Sequence, residues 1–216
     1  MLTQLATVKA RLGLAAYETN DDALLANFIR LVSARFELEC NRRFPRDPAA
    51  VFDFPADTLD VRVDRYPVEA VTGFYLKTSA DADWTGPVSA GWMISPSRSV
   101  IALDTPLGGP GAQGRVVFAG GYVLPGGTPA AGQEPLPDDL EQMAVEQVAY
   151  LYENRNRVGL LSVGGGSGAI EILRGLDLLP ASTTGPTTGS VWFKFAQVDL
   201  LPAVQMVLRR YARMLW

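Results

Sequence analysis

The sequence predicts an α+β fold: a small helical bundle with a β-rich antiparallel insertion and an extended C-terminal segment that ends in a helix. Three observations carry this. Apolar residues recur at helical spacing near both ends of the chain. The middle, 51–123, is rich in β-branched and aromatic residues punctuated by Gly and Pro. Helices precede and follow that region without alternating with its strands, which separates α+β from α/β.

The first helix is predicted over 3–12, with Thr3 as its cap, Leu5, Val8 and Leu12 on one face, and Gly13 as its stop. A longer helix starts near Asn20, where Thr19 and Asp22 have capping-box spacing. Its stripe is Leu25, Phe28, Ile29, Val32 and Phe36, and "NRRFPRDP" ends it because Pro45 and Pro48 forbid continuation. The segments "VFDF", "LDVRV", "AVTGFYLK", "GWMIS", "SVIAL" and "GRVVFAG" read as short strands of a small antiparallel sheet or barrel. The Pro/Gly-rich stretch 124–136 reads as a linker. A third helix begins at Asp138, capped by that residue with Glu141 three positions on, and buries Leu140, Ala144, Val148 and Leu151. Residues 161–190 read as a flexible loop and "VWFKF" as a strand. A last helix starts at Pro202, with Val204, Val207, Leu208, Tyr211 and Leu215 aligned. The implied organisation is a helical core from 1–50 and 137–160, the insertion 51–123, and a C-terminal segment 191–216.

Composition narrows the function. The chain's 216 residues include 48% apolar residues, enough for a core. The net charge of −4 favours neither general DNA affinity nor membrane attraction. No apolar run approaches bilayer length, and Lys9 and Arg11 interrupt the only early apolar stretch, so neither a membrane span nor a signal peptide is predicted. A single cysteine, Cys40, fits a reducing cytoplasm and reads as a packing residue. The chain has no histidine, which removes imidazole metal sites and Ser-His or Cys-His catalysis. No enzyme activity, metal or cofactor is expected.

The run "RVGLLSVGGGSGAIEIL" has the outline of a phosphate cradle. Gly164-x-Gly166-x-x-Ala169 approximates a dinucleotide fingerprint, but the position 20 residues on is Thr184, not an acid. Gly168 is not followed by Lys, as a P-loop requires. Gly164, Gly165, Gly166 and Gly168 therefore read as a hinge. "DADWTG" begins like a calcium loop, but its twelfth position is Trp92 rather than Glu, so a hairpin turn is expected. Asp53, Asp57, Asp60 and Asp64 read as solvent-facing carboxylates rather than a hydrolase pair. Basic residues are skewed to arginine, with three lysines among 19. Arg42, Arg43 and Arg46, and separately Arg209, Arg210 and Arg213, are either solvated faces or contacts for an acidic surface. The aromatic tail, with Trp192, Phe193, Phe195, Tyr211 and Trp216, either folds back on its own core or buries on another chain.

Three segments resemble the head–tail connector family of tailed bacteriophages. "VKARLGL" followed by "NDDALLANFIRLVSARFELECNRRF" is similar to the family's opening: a short Lys-containing helix, an acidic turn, and a long helix ending in an aromatic-basic corner. "LPDDLEQMAVEQVAYLYENR" looks like its third helix, and "LLPAVQMVLRRYARM" like its C-terminal segment. Together they cover roughly 80 of the 216 residues. The resemblance implies a head-completion adaptor of the virion, assembled in the bacterial host cytoplasm. It implies a homo-oligomeric ring of about a dozen subunits under the portal protein. Such a ring extends the DNA channel, lets DNA pass without specific binding, and offers a surface to a stopper or tail-completion protein. On this reading Trp192, Phe193, Phe195, Leu200, Leu201 and Trp216 dock a partner, and Arg209, Arg210 and Arg213 touch the portal or a neighbouring subunit. Deleting 180–216 would then leave a folded protein unable to join heads. The alternative is a carbohydrate- or surface-binding module that stacks sugars on Trp84 and Trp92 of the insertion.

Overall fold

The computed structural model describes residues 1–155, 160–164, 192–195 and 200–213. Its architecture is α+β, as predicted, built around two apolar cores.

The first core is helical. It gathers α1 (Leu5–Leu12), α2 (Asp22–Cys40), α3 (Asp138–Glu153) and α4 (Pro202–Tyr211). Leu25, Ile29, Val32 and Phe36 of α2 meet Leu140, Ala144, Val148 and Leu151 of α3, all at most 2% exposed. Val204 and Leu208 of α4 are buried in the same cluster. The described part of the tail, 200–211, therefore packs on the chain's own core. The expectation that 180–216 can be removed from a folded protein is corrected: that deletion strips buried apolar surface from the core.

The insertion forms the second core. β1 (Asp47–Pro55), β3 (Val68–Lys77), β4 (Thr85–Val88) and β7 (Gln113–Gly120) make an antiparallel sheet in the order β1-β7-β3-β4. β2 (Asp60–Arg62), β5 (Trp92–Ile94) and β6 (Val100–Leu103) make a second, in the order β2-β6-β5. Residues of both sheets share one apolar cluster, including Phe54, Val61, Phe74, Ile101 and Val116. Phe54 and Phe74 pack edge to face, with centroids 6.5 Å apart. All six predicted strand segments are present. β4 was not predicted, because "TGPV" reads as turn chemistry.

Several local expectations are corrected. Thr3 does not cap α1; it is buried and its hydroxyl donates to Glu141 Oε1 at 3.3 Å. Gln4 occupies the cap position without a side-chain bond. The caps of α2 and α3 are Asp21 and Pro137, not Thr19 and Asp138, and neither makes a side-chain capping bond. Asp138, Asp139 and Glu141 instead sit in the first turn of α3, where carboxylates favour the helix dipole. Asn41, in the left-handed region at φ 48°, ends α2 before either proline is reached. The stretch 124–136 is not wholly irregular: β9 (Glu134–Pro135) pairs in parallel with β8 (Tyr122–Val123), and Leu136 is buried. Gly13 and Gly121 are required as glycines. Gly13 closes α1 at φ 69°, and a side chain on Gly121 would meet Pro45 O at 2.7 Å.

The glycine run is also corrected in part. Leu160–Gly164 forms β10, which pairs antiparallel with β11 (Trp192–Phe195), Gly164 opposite Trp192 and Val163 opposite Phe193. Gly164 is thus a strand residue, and "VWFKF" is tied to the segment just after α3. Gly165, Gly166 and Gly168 lie outside the described residues, as does Trp216.

Candidate interaction site

The helical motifs are joined by polar contacts. Lys9, 5% exposed, donates to Glu18 O at 2.5 Å and to Asp22 Oδ1 at 2.9 Å. The Tyr152 hydroxyl donates to Asp21 Oδ2, and the Tyr211 hydroxyl to Asp139 Oδ1 at 2.6 Å. The Lys-containing helix, the acidic turn, the Leu-Tyr exit of α3 and the last helix therefore hold one another. Gln147 adds a link that sequence reading missed. It is 1% exposed and its Oε1 accepts from Leu201 N at 2.9 Å, next to the start of α4. A Gln among apolar positions of a predicted helix was the available signal.

Arginines staple the two cores. Arg42 is 3% exposed and lies among the rings of Phe44, Tyr66 and Tyr122, with its guanidinium carbon 3.3 Å from the Tyr66 centroid. Its Nη2 donates to Tyr66 O. Arg46 bonds Glu69 bidentately, both at 2.8 Å. Arg213 donates through its backbone N–H to Cys40 O and through Nη2 to Arg62 O, and its guanidinium lies over Phe52. Neither Arg42 nor Arg46 lies on a solvated face: Arg46 is paired with Glu69, and Arg42 stacks on three rings while also lining a cleft. Cys40 is buried beneath this junction, and loss of solvation pushes its thiol up to about 11.

Among the described residues, exposed apolar surface occurs on α2. Leu31, Ala34 and Leu38 form an exposed stripe on α2, with Leu38 70% exposed. The stripe was not foreseen because only the buried face of α2 was traced; Leu31 and Leu38, seven apart, carried the signal. It runs into a cleft of about 440 Å³ lined by Leu38, Arg42, Arg43, Phe52, Arg213 and the acids Glu37 and Asp64. A second, smaller cleft of about 250 Å³ lies between α2 and α4 and includes Arg35, Glu39 and Arg209.

Of the predicted docking residues, Leu200 is 8% exposed and Leu201 is packed against the same core, so these two are taken within the chain. Trp192, Phe193 and Phe195 lie on β11. Arg209 and Arg210 are exposed on α4, while Arg213 is engaged at the junction. Met206 of α4 is 68% exposed. In the insertion, Trp84 has the Arg115 guanidinium 4.0 Å over its ring, so that face is covered. Trp92 is exposed but belongs to the other sheet. Residues 79–83 form a turn, with Ala82 N–H donating to Ser79 O. Among the described residues no group of three or more acids and cysteines is placed to hold a metal, and no helix is long and apolar enough to cross a membrane.

The fold has solved counterparts. A chain in the virion of a native gene transfer agent particle superposes over 97% of this chain and 89% of its own length, with a TM-score of 0.54 and 18% identity. Chains from the neck of the empty particle, computed with C6 symmetry, and of the native particle, computed with C12 symmetry, superpose over 69% of this chain. They cover 76% and 75% of their own lengths at TM-scores of 0.49 and 0.47, each with 22% identity. No protein-family model matches the sequence, and no curated protein matches it.

Proposed function

We propose that this chain is a structural adaptor of a phage-like head–tail junction, forming a homo-oligomeric ring beneath a portal protein and presenting a platform to a stopper or tail protein. The observation that carries the reading is the likeness of fold along nearly the whole chain to a protein of a gene transfer agent virion. The helical motifs that resemble the connector family agree with it, because their polar residues meet in one core. A closed ring needs two different patches on each subunit. The α2 stripe, exposed and continuous with the arginine cleft, suits one of them. The reading requires no catalytic group and no cofactor, and it places the protein in the virion.

The test is a double substitution on the stripe, Leu31→Asp with Leu38→Asp, compared with wild type for binding to portal-bearing heads and for self-association. Both positions are exposed, so the fold is retained and assembly is lost. Assembly unchanged by the two aspartates would reject the α2 stripe as an interface.

A further inference from the structure

The cleft beside the α2 stripe holds an unusual charge arrangement. Arg42, Arg43 and Arg213 line it against Glu37 and Asp64. Arg43 pairs with Glu37 at 3.6 Å. No carboxylate of the described residues comes within ion-pair distance of Arg42 or Arg213, and the Nε of each is buried without a hydrogen-bond partner. A guanidinium offers five N–H donors, and a buried one without a counter-charge is costly. Aromatic faces offset part of that cost. Three arginines against two acids leave room for one more carboxylate. A DNA backbone would bring several phosphates against Glu37 and Asp64, so the cleft suits a single acidic side chain better than a nucleic acid.

An acidic knob is present on the same chain. Asp81 and Asp83 are exposed at the β3–β4 turn and make no hydrogen bond or ion pair among the described residues. The turn follows Lys77 at one end of β3, while Arg42 packs on Tyr66, just before Val68 at the other. Ten strand residues separate those ends by about 30 Å. Trp84, beside the turn, lies with Arg115 and Asp53 on one face of the sheet, and Phe52 of the cleft lies on the opposite face. Knob and cleft therefore cannot meet within one copy.

We propose that the arginine cleft receives the Asp81/Asp83 turn of a second copy of this chain, head to tail. The contact is heterologous, which is the kind that closes rings; in this respect the proposal rests on the ring reading above.

The test crosslinks two full-length variants, Arg43→Cys and Asp81→Cys, mixed and treated with a short bis-maleimide. The native Cys40 is buried and does not react. The mixture gives a covalent heterodimer, and a mixture of Arg43→Cys with Thr58→Cys does not. In parallel, Asp81→Lys/Asp83→Lys weakens self-association at least tenfold, and adding Arg43→Asp restores part of it. Absence of the Arg43–Asp81 crosslink above the control overturns the proposal. Rings that form unchanged with Asp81→Lys/Asp83→Lys reject this contact and leave the ring standing. A crosslink between the two variants, with wild-type protein that never closes into rings, keeps the contact and rejects the ring.

Discussion

Single residues at the junction of the two cores carry more of this fold than their type suggests. Arg42 looks like its neighbours Arg43 and Arg46 in sequence, yet it is the one enclosed by three rings. Its planar guanidinium stacks where an ammonium cannot. Arg42→Lys is expected to lower stability by about 2 kcal/mol and Arg42→Ala by more, measured by urea denaturation. Cys40 makes a second prediction. With its thiol pushed up to about 11 and no exposure, it stays unmodified by thiol reagents at neutral pH until the protein is unfolded. Fast labelling of the native chain would contradict its burial. The Arg11–Glu146 pair gives a pH dependence. Hydrogen bonding from Arg11 holds the Glu146 carboxyl below its usual range. A depressed folded-state value contributes stability above the unfolded carboxylate range and loses it as pH falls through the folded value. Glu146→Gln therefore removes this small, solvent-screened contribution near neutrality, and the variant and wild type converge in stability as pH falls below about 4.3.

At the level of elements, the decisive one is α4. Its apolar spacing and its Pro202 start were legible in the sequence. What it packs against was not, because an amphipathic face specifies burial but not the partner. The structure answers with Val204 and Leu208 against α2 and α3, and with the Gln147 side chain on Leu201 N. Leu208→Ala is expected to cost about 2–4 kcal/mol, since the site is enclosed and collapses poorly. Gln147→Leu leaves Leu201 N unsatisfied and costs about 1–3 kcal/mol. Calorimetric melting of the two variants checks both. The strands were legible for a different reason: β-branched and aromatic runs lie between Gly and Pro, and those that escaped include β4, which contains both, and the two-residue β8 and β9. The helix starts were misread because Thr3 and Asp138 match capping chemistry. Thr3 instead bonds Glu141, while Asp138 sits one residue inside its helix.

Across the whole molecule, a helical core and a two-sheet core are stapled by arginines rather than joined by a loose linker. The class of fold and the flanking helices could be read from periodicity. The α2 stripe left a signal in Leu31 and Leu38, seven apart, but the arginine cleft did not, because it exists only after α2, Phe52 and Arg213 meet. The helical and two-sheet cores together give a fold like that of a chain in a gene transfer agent virion. The most direct measurement is native mass with negative-stain imaging of the purified full-length protein, alone and with portal-bearing heads. The proposed function predicts closed rings of about a dozen subunits seated on the portal vertex. A monomer that stays a monomer and leaves the portal vertex bare would contradict it.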